Sequence, residues 1–176
     1  SDKPPVSLSL SGMNVTLDNG LIRVEFKDDA SAVAIIKNGI NLVTSLSGAQ
    51  RDPSNKRSAY LDYHSNGVRD FTPQALKVIT NNKDIVHVAW IRDQEKSLHL
   101  EYHLIMRKGV SGIYSYVIAG NPTQENIKIS ELRNVYRFNP HIFNNMYNGE
   151  RHATPFLYHQ LESMPLIQDE TWRLPD

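Results

Sequence analysis

Apolar and polar residues alternate with a period of two along most of the chain before Asn139. In Leu21-Ile22-Arg23-Val24-Glu25-Phe26-Lys27, the residues Ile22, Val24 and Phe26 fall on one face and Arg23, Glu25 and Lys27 on the other. That is the pattern of a half-buried strand. Asn19-Gly20 precedes this strand, and Asn38-Gly39 separates the apolar run 32–37 from 40–43. Each pair supplies two residues that tolerate positive φ, as a type I′ turn requires, so two early hairpins are predicted. Further strands are predicted over 6–11, 14–18, 75–80, 85–92, 97–106, 113–118 and 127–138. In Leu98-His99-Leu100-Glu101-Tyr102-His103-Leu104-Ile105-Met106 every even position is apolar or aromatic, while His99, Glu101 and His103 face the other way. No segment sustains a helical period. Many short strands with turn punctuation and no strand–helix alternation predict an all-β, antiparallel β-sandwich or barrel. Two regions break the rhythm: 50–66, read as a polar loop around Arg51-Asp52-Pro53-Ser54-Asn55-Lys56-Arg57, and 139–176, where Asn, Pro, His and aromatic residues mix without period.

Composition narrows the functional classes. At 176 residues the chain is long enough for one domain to bury a core without staples. It has no cysteine, which removes thiolate nucleophiles, cysteine-ligated zinc and iron–sulfur clusters but leaves the compartment open. With 19 basic and 19 acidic residues the net charge is zero, which argues against a nucleic-acid or anionic-membrane partner. Apolar runs such as Val33-Ala34-Ile35-Ile36 are far shorter than the roughly 20 residues of a membrane helix. Ser1-Asp2-Lys3-Pro4-Pro5 has no apolar signal region and reads as a mature or engineered start, so export stays open.

Seven histidines invite a metal reading. His99 and His103 lie four residues apart on one predicted strand, roughly 13 Å, too far to share an ion. His141, His152 and His159 lie in the irregular tail near Glu150 and Glu162 without a zinc-protease spacing, and ordinary loop residues are the favoured reading. No metal site is assigned. Asp52, Asn55 and Asp62 offer oxygens for a structural Ca2+ but in no diagnostic spacing. There is no nucleophile elbow, glycine-rich phosphate loop or EF-hand, and no carboxylate pair can be matched as acid and base from linear spacing.

The informative segment is Ile129-Ser130-Glu131-Leu132-Arg133-Asn134-Val135-Tyr136-Arg137-Phe138-Asn139. As a strand it places Glu131, Arg133, Val135 and Arg137 on one face, with the two guanidiniums roughly 13 Å apart. Planar forks so spaced suit carboxylates on successive units of an acidic polymer. The competing reading, favoured by the pattern alone, is a solvated face where Glu131 pairs near Arg133.

This segment, with Gly112-Ile113-Tyr114-Ser115-Tyr116-Val117-Ile118 before it, resembles the paired motifs of rhamnogalacturonan lyases of polysaccharide lyase family 4. The likeness extends more loosely from Leu17-Asp18-Asn19-Gly20-Leu21-Ile22 to Trp172-Arg173-Leu174-Pro175-Asp176, and Ser130 stands where the family commonly has Gly. The resemblance implies a galactose-mutarotase-like sandwich as the N-terminal catalytic domain, with fibronectin-III-like and jelly-roll domains following in the parent. It implies β-elimination at the rhamnose-(1→4)-galacturonate bond of pectin's rhamnogalacturonan I, with Arg133 and Arg137 binding substrate. The family's catalytic Lys and His are expected beyond Asp176, so residues 1–176 are expected to be an incomplete domain with no catalytic residue of its own. No cofactor is expected beyond a structural Ca2+, the protein is expected to be secreted or periplasmic, and a monomer is expected. Two other classes stay open: a non-catalytic binder of acidic carbohydrate, and a mutarotase or epimerase, which would need a His and a Glu converging in one cleft.

Overall fold

A computed structural model describes residues 2–43, 59–65, 67–94, 97–168 and 171–175. The first half supplies β1 (Ser7–Ser11), β2 (Asn14–Asp18), β3 (Arg23–Phe26), β4 (Ala32–Lys37), β5 (Ile40–Asn41), β6 (Ala59–Ser65) and β7 (Val68–Arg69). There follow β8 (Ala75–Asn81), β9 (Ile85–Arg92), β10 (His99–Arg107), β11 (Ile113–Gly120) and β12 (Ile129–Tyr136). One antiparallel sheet runs β1-β2-β3-β4-β6-β12, with β5 on β4 and β7 on β6; a second runs β11-β10-β9-β8. The sheets pack face to face, which is the predicted all-β sandwich.

The alternation explains the packing. Val15, Leu17, Val24, Phe26, Leu61 and Tyr63 from the first sheet meet Val86, Val88, Trp90, Leu100, Tyr102, Leu104 and Met106 from the second in one buried core. At its centre Phe26, Trp90 and Tyr102 form a triangle with ring centroids 5.7, 6.1 and 6.4 Å apart. The indole proton is not stranded there, because Trp90 Nε1 donates to the Met13 carbonyl at 2.9 Å. On β12 the Tyr136 side chain turns inward, its hydroxyl 3.2 Å from that of Tyr102 and 2.9 Å from that of Ser115, while Leu132 and Asn134 on the same strand stay exposed.

The two Asn-Gly pairs part company. Asn38 and Gly39 both have positive φ, 51° and 75°, and close the β4–β5 hairpin as expected. At the other pair only Gly20 does, at 78°. Asn19 is instead fully buried, and its side chain makes four hydrogen bonds. Its Oδ1 accepts from the Leu21 and Ile22 amides at 3.0 Å each, while Nδ2 donates to the Arg107 and Val110 carbonyls at 2.8 and 2.7 Å. The residue joins the β2–β3 loop to the β10–β11 loop across the sandwich, so its role is tertiary and the I′ expectation fails there. A side chain at Gly20 would meet Pro4 Cγ at 2.8 Å.

The expected polar loop over 50–66 needs a larger correction. Residues 44–58 lie outside the described residues, but Ala59–Ser65 is a strand and pairs with β12 along its length. Leu61 and Tyr63 alternate inward while Asp62 and His64 take the opposite face. The tail holds two short ladders, β13 (Met146–Tyr147) with β14 (His152–Ala153) and β15 (Leu166–Gln168) with β16 (Thr171–Trp172), and a single helical turn, α1 (Tyr158–Leu161). That turn is the one departure from all-β among the described residues.

Candidate functional site

The outer face of the first sheet, where β6 and β12 run side by side, carries a cluster of charged side chains. Antiparallel register places Arg133 directly opposite Asp62 and Glu131 opposite His64. Side chains on facing positions of such a pair are close enough to interact, and here all four do. Arg133 Nε donates to Asp62 Oδ2 at 3.1 Å, and its Nη2 donates both to Asp62 and, at 3.1 Å, to Glu131 Oε2. His64 sits between the carboxylates, with Nε2 3.2 Å from Asp62 Oδ1 and Nδ1 3.3 Å from Glu131 Oε2.

Burial divides the roles. The Asp62 side chain is 6% exposed, whereas that of Arg133 is 52% exposed. Burial by itself would raise the Asp62 pKa; hydrogen bonds from Arg133, with the charges of Arg133 and His64, outweigh it and hold the carboxyl below its usual range. Asp62 is therefore an anion that orients the guanidinium. Asp62, His64 and Glu131 could by geometry surround a cation, their ligand atoms lying within 4.8 Å of one another. The Arg133 guanidinium already supplies positive charge at that spot.

The two arginines expected to bind substrate are both at this face or its end. Arg133 lies mid-strand, and Arg137 lies one residue beyond β12, exposed. The solvated-face pairing of Glu131 with Arg133 also holds. Sequence reasoning missed Asp62 and His64 as partners, because they belong to the strand read as a loop. Of the residues named for a structural Ca2+, Asp52 and Asn55 lie outside the described residues, and Asp62 is engaged with Arg133 and His64. The tail histidines His141, His152 and His159 are exposed and do not gather with Glu150 or Glu162 into a metal-ligating group among the described residues.

A second polar chain crosses the outer face of the other sheet. His99 and His103 are too far apart to meet, yet Glu101 joins them, with Oε2 2.6 Å from His99 Nε2 and Oε1 2.7 Å from His103 Nε2. The histidine hydrogen bonds hold Glu101 below the usual carboxylate range, and Glu101 in turn raises His99. On its other side His103 meets His87, Nδ1 to Nε2 at 2.7 Å, and Tyr116 stacks on its ring with centroids 4.4 Å apart. Burial, then the neighbouring His103 ring, lowers the pKa of His87.

Comparison with known proteins agrees with the strand motifs. The family described as "Rhamnogalacturonate lyase family" matches residues 1–168. A curated protein named rhamnogalacturonate lyase, from Dickeya dadantii (strain 3937), is 54% identical over 171 residues. The match covers 97% of this chain and 30% of that protein, so the chain spans under a third of the relative's length. No solved structure matches. With both motif strands, β11 and β12, inside the matched range, this chain belongs to the rhamnogalacturonate lyase family.

Proposed function

We propose that this chain is the N-terminal part of the catalytic domain of a lyase that cleaves the rhamnose-(1→4)-galacturonate bonds of rhamnogalacturonan I by β-elimination. The observation that carries the reading is 54% identity over nearly the whole chain to a protein of that named activity. In such a reaction a base takes the C5 proton of galacturonate, the C5–H electron pair forms the C4=C5 double bond, and O4 departs with rhamnose and gains a proton from an acid. The negative charge that develops at the uronate carboxylate needs a fixed cation.

The chain's own residues supply that cation. Arg133 is held along one edge by an ionised, buried Asp62 and from the side by Glu131, so its plane is set before substrate arrives. Preorganised donors cost no reorientation when charge develops. Arg137, just past the strand, offers a second fork for the neighbouring carboxylate of the polymer. The acid–base pair belongs to the remainder of the protein, and a polymeric plant-wall substrate calls for export from the cell.

The longer protein should release unsaturated uronate, read by its ultraviolet absorbance, from rhamnogalacturonan I. Arg137→Ala should lower kcat/KM by at least tenfold with little loss of fold, since Arg137 is exposed beyond the strand end. Wild-type turnover by the Arg137→Ala enzyme would remove Arg137 from the reading. Full turnover by residues 1–176 alone would remove the assignment of the acid–base pair to the remainder.

A further inference from the structure

We propose that His87 Nε2 and His103 Nδ1 form a binding site for a transition-metal dication of the zinc or copper class on the outer face of the four-stranded sheet. The two nitrogens come from the central strands β9 and β10 and converge to 2.7 Å. Their register is diagonal, His103 lying opposite Ala89 and His87 opposite Ile105, so both rings lean into the same gap between the strands.

Three features separate this pair from a chance contact. First, the far nitrogen of His103 is pinned to a carboxylate, Glu101 Oε1, at 2.7 Å. A metal-bound histidine almost always gives its other N–H to such a group, which fixes the tautomer and leaves the facing nitrogen with its lone pair. Second, the carboxylate is itself held: Glu101 Oε2 meets His99 at 2.6 Å, and His99 Nδ1 faces Asp93 at 3.5 Å. Third, the ring cannot swing away. His103 is 4% exposed and stacked against Tyr116, at an interplanar angle of 9°, and the Tyr116 hydroxyl reaches to 3.4 Å from His87 Nε2. That hydroxyl is placed as a third, weaker donor, with water completing the shell.

The required adjustment is small. Two metal–nitrogen bonds of about 2.0 Å at a tetrahedral angle set the nitrogens roughly 3.3 Å apart, about half an ångström wider than they stand. Half-buried His87, on the open side, is the ring that would shift. The rival cluster Asp62–His64–Glu131 differs in kind: Arg133 donates to two of its three members and repels a dication.

The test is calorimetric titration of the protein with ZnCl2, and separately CuCl2, at neutral pH. One ion per chain should bind to wild type, His87→Gln should weaken it at least tenfold, and Glu101→Gln should weaken it by about 10–100-fold through the orientation of His103. His64→Gln should change nothing. Because His103 is buried and its replacement risks the fold, the second readout is electron paramagnetic resonance of the wild-type Cu2+ complex, which should show two imidazole nitrogens. Absence of saturable binding, binding unchanged in His87→Gln, or loss of the ion in His64→Gln would each overturn the site.

Discussion

Replacing Arg133 by Ala should destabilise the protein more than replacing Asp62 by Asn, although Arg133 is the more exposed partner. The asymmetry comes from what each change leaves behind. Without Arg133, a carboxylate only 6% exposed keeps His64 as its neighbour and loses both guanidinium hydrogen bonds. Breaking a fully buried pair from one side costs about 3–5 kcal/mol; with Arg133 half in solvent, and with His64 remaining, screening reduces this to about 2 kcal/mol. Without the Asp62 charge, the guanidinium keeps Glu131 at 3.1 Å and reaches water, at a cost of about 1 kcal/mol. For a domain of this size the two variants should lose about 4–8 °C and 2–4 °C in Tm. The acid dependence adds a second check. Asp62 has a depressed folded-state pKa, so its stabilisation is complete above the unfolded value of about 3.9 and fades as pH falls through the folded one. Urea unfolding of wild type and Arg133→Ala should therefore differ by about 2 kcal/mol at pH 7 and converge at the acid end. A larger loss in Asp62→Asn than in Arg133→Ala, or a gap independent of pH, would refute the idea that a buried, ionised Asp62 anchors the arginine.

Three further outcomes follow from the packing. Asn19→Ala removes the side-chain partner of two amides and two carbonyls at a fully buried position and should cost about 3 kcal/mol, while Asn19→Asp should be no better, because it faces a carboxylate toward the Arg107 and Val110 carbonyls; chemical denaturation measures both. Arg92 is 2% exposed, its Nη2 donating to Gln94 Oε1 at 2.5 Å but its Nε and Nη1 without hydrogen-bond partners among the described residues, and its guanidinium carbon is 5.6 Å from the Tyr63 ring centroid, so Arg92→Met should be neutral or stabilising by about 1 kcal/mol in thermal unfolding. Trp90→Ala, which removes one ring of the aromatic triangle, should cost about 3–5 kcal/mol by urea titration, and a loss under 1 kcal/mol would contradict the burial described.

How much of this was legible in the sequence depends on the range of each interaction. The sandwich and its strand boundaries rest on period-two alternation, a local signal, and they are recovered to within a residue or two for most strands. Strand β6 failed because the polar run Arg51–Arg57 set the reading of its neighbourhood, although Leu61 and Tyr63 alternate with Asp62 and His64 in the same way as elsewhere. The two Asn-Gly pairs show why a dipeptide cannot settle its own role: Asn38 faces solvent and is free to take positive φ, whereas Asn19 is claimed by carbonyls 88 and 91 residues away.

The same limit governs both polar clusters, and it explains why the arginines were found but their setting was not. Arg133 and Arg137 stand four apart in the sequence, so a motif can display them. Their environment depends on β6 being the neighbour of β12 and on a register that sets Arg133 against Asp62. A shift of one residue would have turned Leu61 or Tyr63 toward the arginine instead, because alternate positions point to opposite faces. Likewise the strand spacing that rules out an ion shared by His99 and His103 says nothing of His87, which comes within 2.7 Å only when β9 folds back on β10. Histidine and carboxylate chemistry in an antiparallel sandwich is thus written across strands. A single strand names the side chains that face one way, and the pairing decides which of them act together.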